Sequence, residues 1–214
     1  RLEVFIDAAF AFAVTMLVIS IDNIPRSYDE VILAIKRIPA FIVAVAQLVW
    51  ICHTHNVWSR RFGLDTAYTV FISTALLIVV LIYVYPMRIM AGGMFAWFTS
   101  DYLPSNFNLI TLDQLRDMFI FLGLGFVALS LVFVQMYRYA SRLKTELLLN
   151  EYELFESRTL AVMWTGAAGI GLISVILALT LPTHLVPYSG FAFTLLGIWF
   201  PMVRWWRNKS KTGL

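Results

Sequence analysis

The sequence predicts an all-α integral membrane protein, with six transmembrane helices in a single domain over residues 1–214 and both termini cytoplasmic. Three observations lead there. Sixty per cent of the residues are apolar, 14% are charged and mean hydropathy is +0.79, whereas soluble domains carry about a quarter charged residues. Six apolar runs are long enough to cross a hydrocarbon core of about 30 Å, which takes roughly 20 helical residues. The cations lie between these runs and favour one side of the membrane.

The first run covers about 4–22 and carries Asp7 near its head. The second, 38–58, opens at Pro39, which a first helical turn tolerates. The third, 66–87, is expected to end or kink at Pro86. The fourth spans 115–137. The fifth, 159–181, closes before Pro182 and carries Gly166, Ala167, Ala168, Gly169 and Gly171, a small-residue surface suited to close helix packing. The sixth, 187–206, opens at Pro187. Between the fourth and fifth runs, residues 138–158 hold enough Arg, Lys and Glu to extend both helices into a charged cytoplasmic hairpin. The connection 88–114, with Gly92, Gly93, Trp97, Phe98 and Phe107, is apolar enough to lie on the membrane or cover a vestibule. Nothing resembling the TVGYG carbonyl filter occurs in it.

With the N-terminus inside, Arg1, Arg60, Arg61, Arg138, Arg142, Lys144, Arg158, Arg204, Arg207, Lys209 and Lys211 fall on the cytoplasmic side. Arg26, Lys36, Arg37, Arg88 and Arg116 fall outside, so eleven cations oppose five and the inside count wins. An even number of spans also puts both termini on one side. Trp205 and Trp206, flanked by Arg204 and Arg207, fit an aromatic belt at the inner interface. The net charge of +3 is scattered between apolar runs, which argues against a nucleic-acid partner. The single cysteine, Cys52, excludes an intrachain disulfide. Asp7 and the absence of a small-residue cleavage site make the first run a span and not a cleavable signal peptide. No catalytic motif such as H-E-x-x-H or G-x-S-x-G is present, so an enzyme is not expected.

The first helix divides by angle. At 100° per residue, Phe5, Ala8, Thr15, Met16, Ile19 and Asn23 fall within about 60° of Phe12. This stripe is apolar and bulky, with one hydroxyl at Thr15. Asp7 lies about 140° away, on the side of Val14, Val18 and Ile21. A carboxylate in a span normally finds a partner, because burying it unpaired is costly. It either braces the helix structurally or serves as a cation or proton site, and its angle away from the Phe12 stripe favours the brace. In the second helix Trp50 and His53 stand one turn apart on one face, with His55 turned away. His53 is at the same depth as Asp7 and is either its partner or an ordinary packing residue. The opposite facing of His53 and His55 argues against a shared metal ion, and no metal site is expected.

These residues resemble a known family. Arg1-x-x-x-Phe5-Ile6-Asp7 with the following Ala11-Phe12-Ala13-Val14-Thr15-Met16-Leu17-Val18-Ile19 is similar to the R-x-x-x-F-S-D motif and apolar segment of the lysosomal potassium channel family (transmembrane protein 175), in its short prokaryotic form. Trp50-x-x-His53 resembles the family's W-x-x-H-H, and Tyr85-Pro86-Met87 the Pro-containing end of its third helix. The resemblance implies a homotetramer in a prokaryotic cell membrane, with four copies of helix one around a central pore that prefers potassium to sodium. It puts Phe12 at an apolar constriction, Thr15 at a pore hydroxyl, and Met16 and Ile19 above them. Arg1, Asp7, Trp50 and His53 would form the network that braces helix one. No cofactor is implied, and potassium is the permeant ion. Three positions depart from the pattern: Ile6 replaces Ser, Phe12 replaces the usual Ile or Leu, and Thr54 stands where a second His is common. Asp22 and Asn23, at the outer end of the stripe, are placed to attract cations. The competing reading is a proton-coupled secondary transporter that uses Asp7 and His53 as a relay. The chain lacks the interrupted helices in matched halves that such carriers show.

Overall fold

The structure, a computed structural model, describes residues 2–19, 26–105 and 111–212. Among them are six α-helices, one 3₁₀ segment and no strand. The helices are α1 (Leu2–Ile19), α2 (Tyr28–Phe62), α3 (Ala67–Phe98), α4 (Leu112–Arg142), α5 (Glu151–Thr180) and α6 (Leu195–Thr212), with the 3₁₀ segment at Thr183–Thr194. Five segments are long and apolar enough to cross a membrane: α2, α3, α4, α5 and the stretch Thr183–Lys209. The apolar part of α1, Val4–Leu17, is shorter, and the expected continuation to residue 22 lies outside the described residues.

Most helices are longer than their apolar runs. The start of α2 falls ten residues before the predicted position because Ser27 and Glu30 cap it. The Ser27 hydroxyl accepts from the Glu30 amide at 3.2 Å, and the Glu30 carboxylate accepts from the Arg26 amide at 2.6 Å. Pro39 therefore lies inside α2 and does not open it. Pro86 likewise fails to end α3, so 88–98 is helix and not connection. A proline removes one i→i−4 bond, but where no water can satisfy a broken backbone the rest of the helix is worth keeping. The sixth run is corrected in the other direction. Around Pro187 the chain takes the tighter 3₁₀ form, and α-helix starts only at Leu195. Past Phe62, Gly63 takes a left-handed φ of 55°, the usual glycine stop for a helix such as α2.

Two compact units emerge: residues 1–60 with 77–110, and 61–76 with 111–214. In the second, α4 and α5 meet through glycine. A Cβ on Gly123 would stand 2.5 Å from Val175 Cγ2, and one on Gly171 would stand 2.9 Å from Val127 Cγ2. The expected small-residue surface thus holds at Gly171, and also at Gly166, where the Trp199 ring occupies the space a Cβ would need. At Gly169 it does not, since nothing lies within 4 Å. Trp199 Nε1 donates to the Met163 carbonyl at 3.0 Å, and Phe133 stacks on Trp164 with centroids 4.4 Å apart. A reciprocal capping box, Asn150 with Glu153, starts α5. Within the charged segment 138–158, which the ends of the two helices do extend into, Arg61 pairs with Glu156 at 3.6 Å.

In the first unit, Ala44, Leu48, Ile51, His55 and Trp58 form a buried stripe along α2, at alternating spacings of four and three. From α3 it takes Leu77, Val80, Tyr83, Val84, Met87 and Ala91 into its interior.

Candidate functional site

The candidate site is one face of α1. Ile6, Phe10, Ala13 and Leu17 recur at spacings of four, three and four, and all are buried. That spacing keeps them on one side of a helix, centred about 130° from Phe12. They are the face that α1 packs into its own chain. Phe5, Ala8, Ala11, Phe12 and Thr15 are exposed, and Met16 is half-buried. Phe12 keeps 56% of its surface open while Phe10, two residues earlier, keeps 3%. The Phe-Ala-Phe repeat is thus two opposite faces of a helix, about 200° apart. A large aromatic left this open on an apolar helix faces either lipid or another chain.

Thr15 gives the stripe its one hydroxyl. Its Oγ1 donates to the Ala11 carbonyl at 3.0 Å, the usual solution for a threonine inside a membrane helix. The donation uses the proton and leaves the oxygen's lone pairs directed outward. The backbone of Ile19 lies in the last turn of α1, but its side chain is outside the described set, as are Arg1, Asp22 and Asn23.

Of the four residues expected to brace α1, Asp7, Trp50 and His53 are among the described residues. Trp50 and His53 share the exposed face of α2, and His55 points inward, as their spacing predicts. Asp7 is exposed as well, on the flank of the packed face. Thr54, at the position of the missing second His, donates its hydroxyl to the Trp50 carbonyl at 2.8 Å. Ile6, at the position of the motif's Ser, is buried to 1%. Among the described residues no group of three His, Cys, Asp or Glu side chains could hold a metal ion.

One contact escaped the sequence. Arg88 of α3 donates through Nη1 to the Leu17 carbonyl at 3.0 Å, in the last two turns of α1. The last turn of α1 carries no base of its own. This bond ties α3 to the backbone of α1 two residues before its last described residue. The only hint in the sequence is the pairing of a base-free helix end with a lone Arg two residues after Pro86.

Comparison with known proteins adds to this geometry. No family model matches the chain. A protein of Marivirga tractuosa named as a potassium channel is 32% identical over 203 residues, covering 92% of this chain and 79% of the relative. The crystal structure of a point variant of the potassium channel MtTMEM175, in complex with a Nanobody-MBP fusion protein, matches with a TM-score of 0.83 at 28% identity. That match covers 99% of this chain and 93% of the other.

Proposed function

This chain belongs to the family of the TMEM175 potassium channels, as a multi-pass membrane protein, and on that premise we propose that it conducts potassium passively through a pore lined by α1. The reading is a homotetramer in the cell membrane of a prokaryote, each subunit contributing Phe12, Thr15, Met16 and Ile19 to a central path. One observation carries it: the Phe12–Thr15 stripe is uncovered on a helix whose other face is fully packed in its own chain.

The physical argument runs from side chain to ion. Four Phe12 rings make a constriction too apolar to hold water when narrow, and a dewetted segment blocks ions without any plug. The Thr15 oxygens, one turn away, present lone pairs that replace part of the ion's hydration shell when the constriction widens. Asp22 and Asn23 at the outer end raise the local cation concentration. Arg1, Asp7, Trp50 and His53 brace α1 from its other end. Potassium is cargo here, and no resident cofactor takes part.

The test is flux in liposomes holding the purified chain. Wild type passes potassium faster than sodium. Phe12→Ala raises potassium flux about tenfold, equivalent to about 1.4 kcal/mol of barrier, and narrows the preference over sodium. Unchanged flux and preference in Phe12→Ala would take this stripe out of the pore. Solute uptake with fixed proton stoichiometry, lost in Asp7→Asn or His53→Gln, would instead establish the carrier.

A further inference from the structure

We propose that the C-terminal end of α6 binds an anionic phospholipid, with the acyl chains along its open apolar stripe and the headgroup on Lys209, in the positive field of Arg204 and Arg207. This does not rest on α1 lining a pore.

The stripe is built by spacing. Leu195, Ile198, Met202, Trp205 and Lys209 follow one another by three, four, three and four residues, which puts them on one side of the helix. All five are exposed, while Val203, on the opposite side, is buried. From Ile198 to Lys209 the stripe rises about 16 Å, close to half of a hydrocarbon core of about 30 Å. It is as long as one leaflet is deep, apolar through that depth, and changes chemistry at its end. Trp205 is the amphipathic ring that belongs at an interface. Lys209 Nζ sits 4.1 Å from the centre of that ring, so the ammonium is held at the point where the apolar stripe stops.

Charge selects the headgroup. No acidic residue occurs anywhere after Glu156, whereas Arg204, Arg207, Lys209 and Lys211 cluster within eight residues. The acids at the start of α5 have other engagements that limit their reach. Glu153 closes the capping box, and Glu156 pairs with Arg61 at 3.6 Å. Glu151 lies one turn further out, at the first residue of α5. Arg207 is already oriented: Nε donates to Thr159 Oγ1 at 2.9 Å and its guanidinium lies 4.6 Å from the centre of the Phe155 ring. Arg204 is exposed about 140° around the helix from Lys209, so it adds to the positive field at this end without sharing the stripe. A zwitterionic choline headgroup would set its own cation against this cluster, and a free phosphate would leave the stripe uncovered. A phosphatidylglycerol-type lipid satisfies both halves at once.

The experiment is lipid retention by the full chain in detergent, read by native mass spectrometry after incubation with phosphatidylglycerol, with phosphatidylcholine, or with inorganic phosphate. Wild type should keep phosphatidylglycerol in preference to phosphatidylcholine, and inorganic phosphate should not displace it. Arg204→Gln with Lys209→Gln should cut that retention by roughly tenfold or more, while Arg204→Lys with Lys209→Arg should keep it. A salt wash of the wild type provides a second arm free of any folding effect, and should strip phosphatidylglycerol before phosphatidylcholine. The idea fails if both lipids are retained equally, if phosphate displaces the lipid, or if salt removes both alike. It fails equally if the Gln variant keeps its lipid but changes oligomeric mass, because a second copy would then be what covers the stripe.

Discussion

Helices α1 and α5 are both apolar and both carry small residues, yet they are settled in opposite ways. The capped start and the glycine face of α5 are settled within its own chain, while Leu172, Ile173, Ile176 and Leu179 stay exposed. Its first turn is closed by the Asn150–Glu153 box, Gly171 lets α4 approach, and Gly166 takes the flat of Trp199. By contrast, α1 has one satisfied face, Ile6, Phe10, Ala13 and Leu17, and one open face with an aromatic ring at its centre. Its Leu17 carbonyl is held by a side chain from another helix. The lesson is that apolarity in a membrane helix does not separate structure from function.

That contrast can be broken by substitution. Adding bulk to α5 should cost stability, so Gly171→Leu, which drives a side chain into Val127 and Phe126, is expected to cost about 3 kcal/mol. Thermal unfolding in detergent would show it as a melting temperature lowered by several degrees, and an unchanged melt would mean that α4 and α5 can part freely. Removing bulk from α1 should do the reverse. Phe12→Ala should change ion flux while unfolding stays within about 0.5 kcal/mol of wild type, since the ring buries little in its own chain. A large destabilisation of the assembled protein with no change in flux would make Phe12 a packing residue between copies. Arg88→Gln keeps a donor and loses the charge. It should loosen the outer end of α1 by about 1 kcal/mol and shift the potassium-to-sodium flux ratio, with Arg88→Lys closer to wild type. The smallest effect is expected from Asn150→Ala, about 1 kcal/mol of stability or less with flux per channel unaltered.

The membrane character of the chain, its helical class and the two faces of α1 were all legible, because each rests on local periodicity. Phe12 and Phe10 cannot share a side of a helix, and the structure buries one and opens the other. Helix ends were less legible, for a reason visible at Pro39, Pro86 and Pro187. A proline reads as punctuation in water, but its effect in lipid depends on whether the rest of the helix can hold its bonds, and the three sites resolve differently. The earlier start of α2 was in fact written in Ser27-Tyr28-Asp29-Glu30, a capping pattern outweighed by the apolar run that follows it. Arg88 could not be assigned to α1 from the sequence. Seventy-one residues separate it from Leu17, and no periodicity connects positions on two different helices.

The bond from Thr15 to the Ala11 carbonyl has one more consequence. A proton moves along a file of water by hopping, and each member of the file must accept on one side and release on the other. The Thr15 hydroxyl has its hydrogen committed to the main chain, so it can receive a hydrogen bond from water but cannot pass one on. In the pore proposed above, a ring of such oxygens would take no part in proton hopping, and would offer a crossing cation oxygen and an anion no donor.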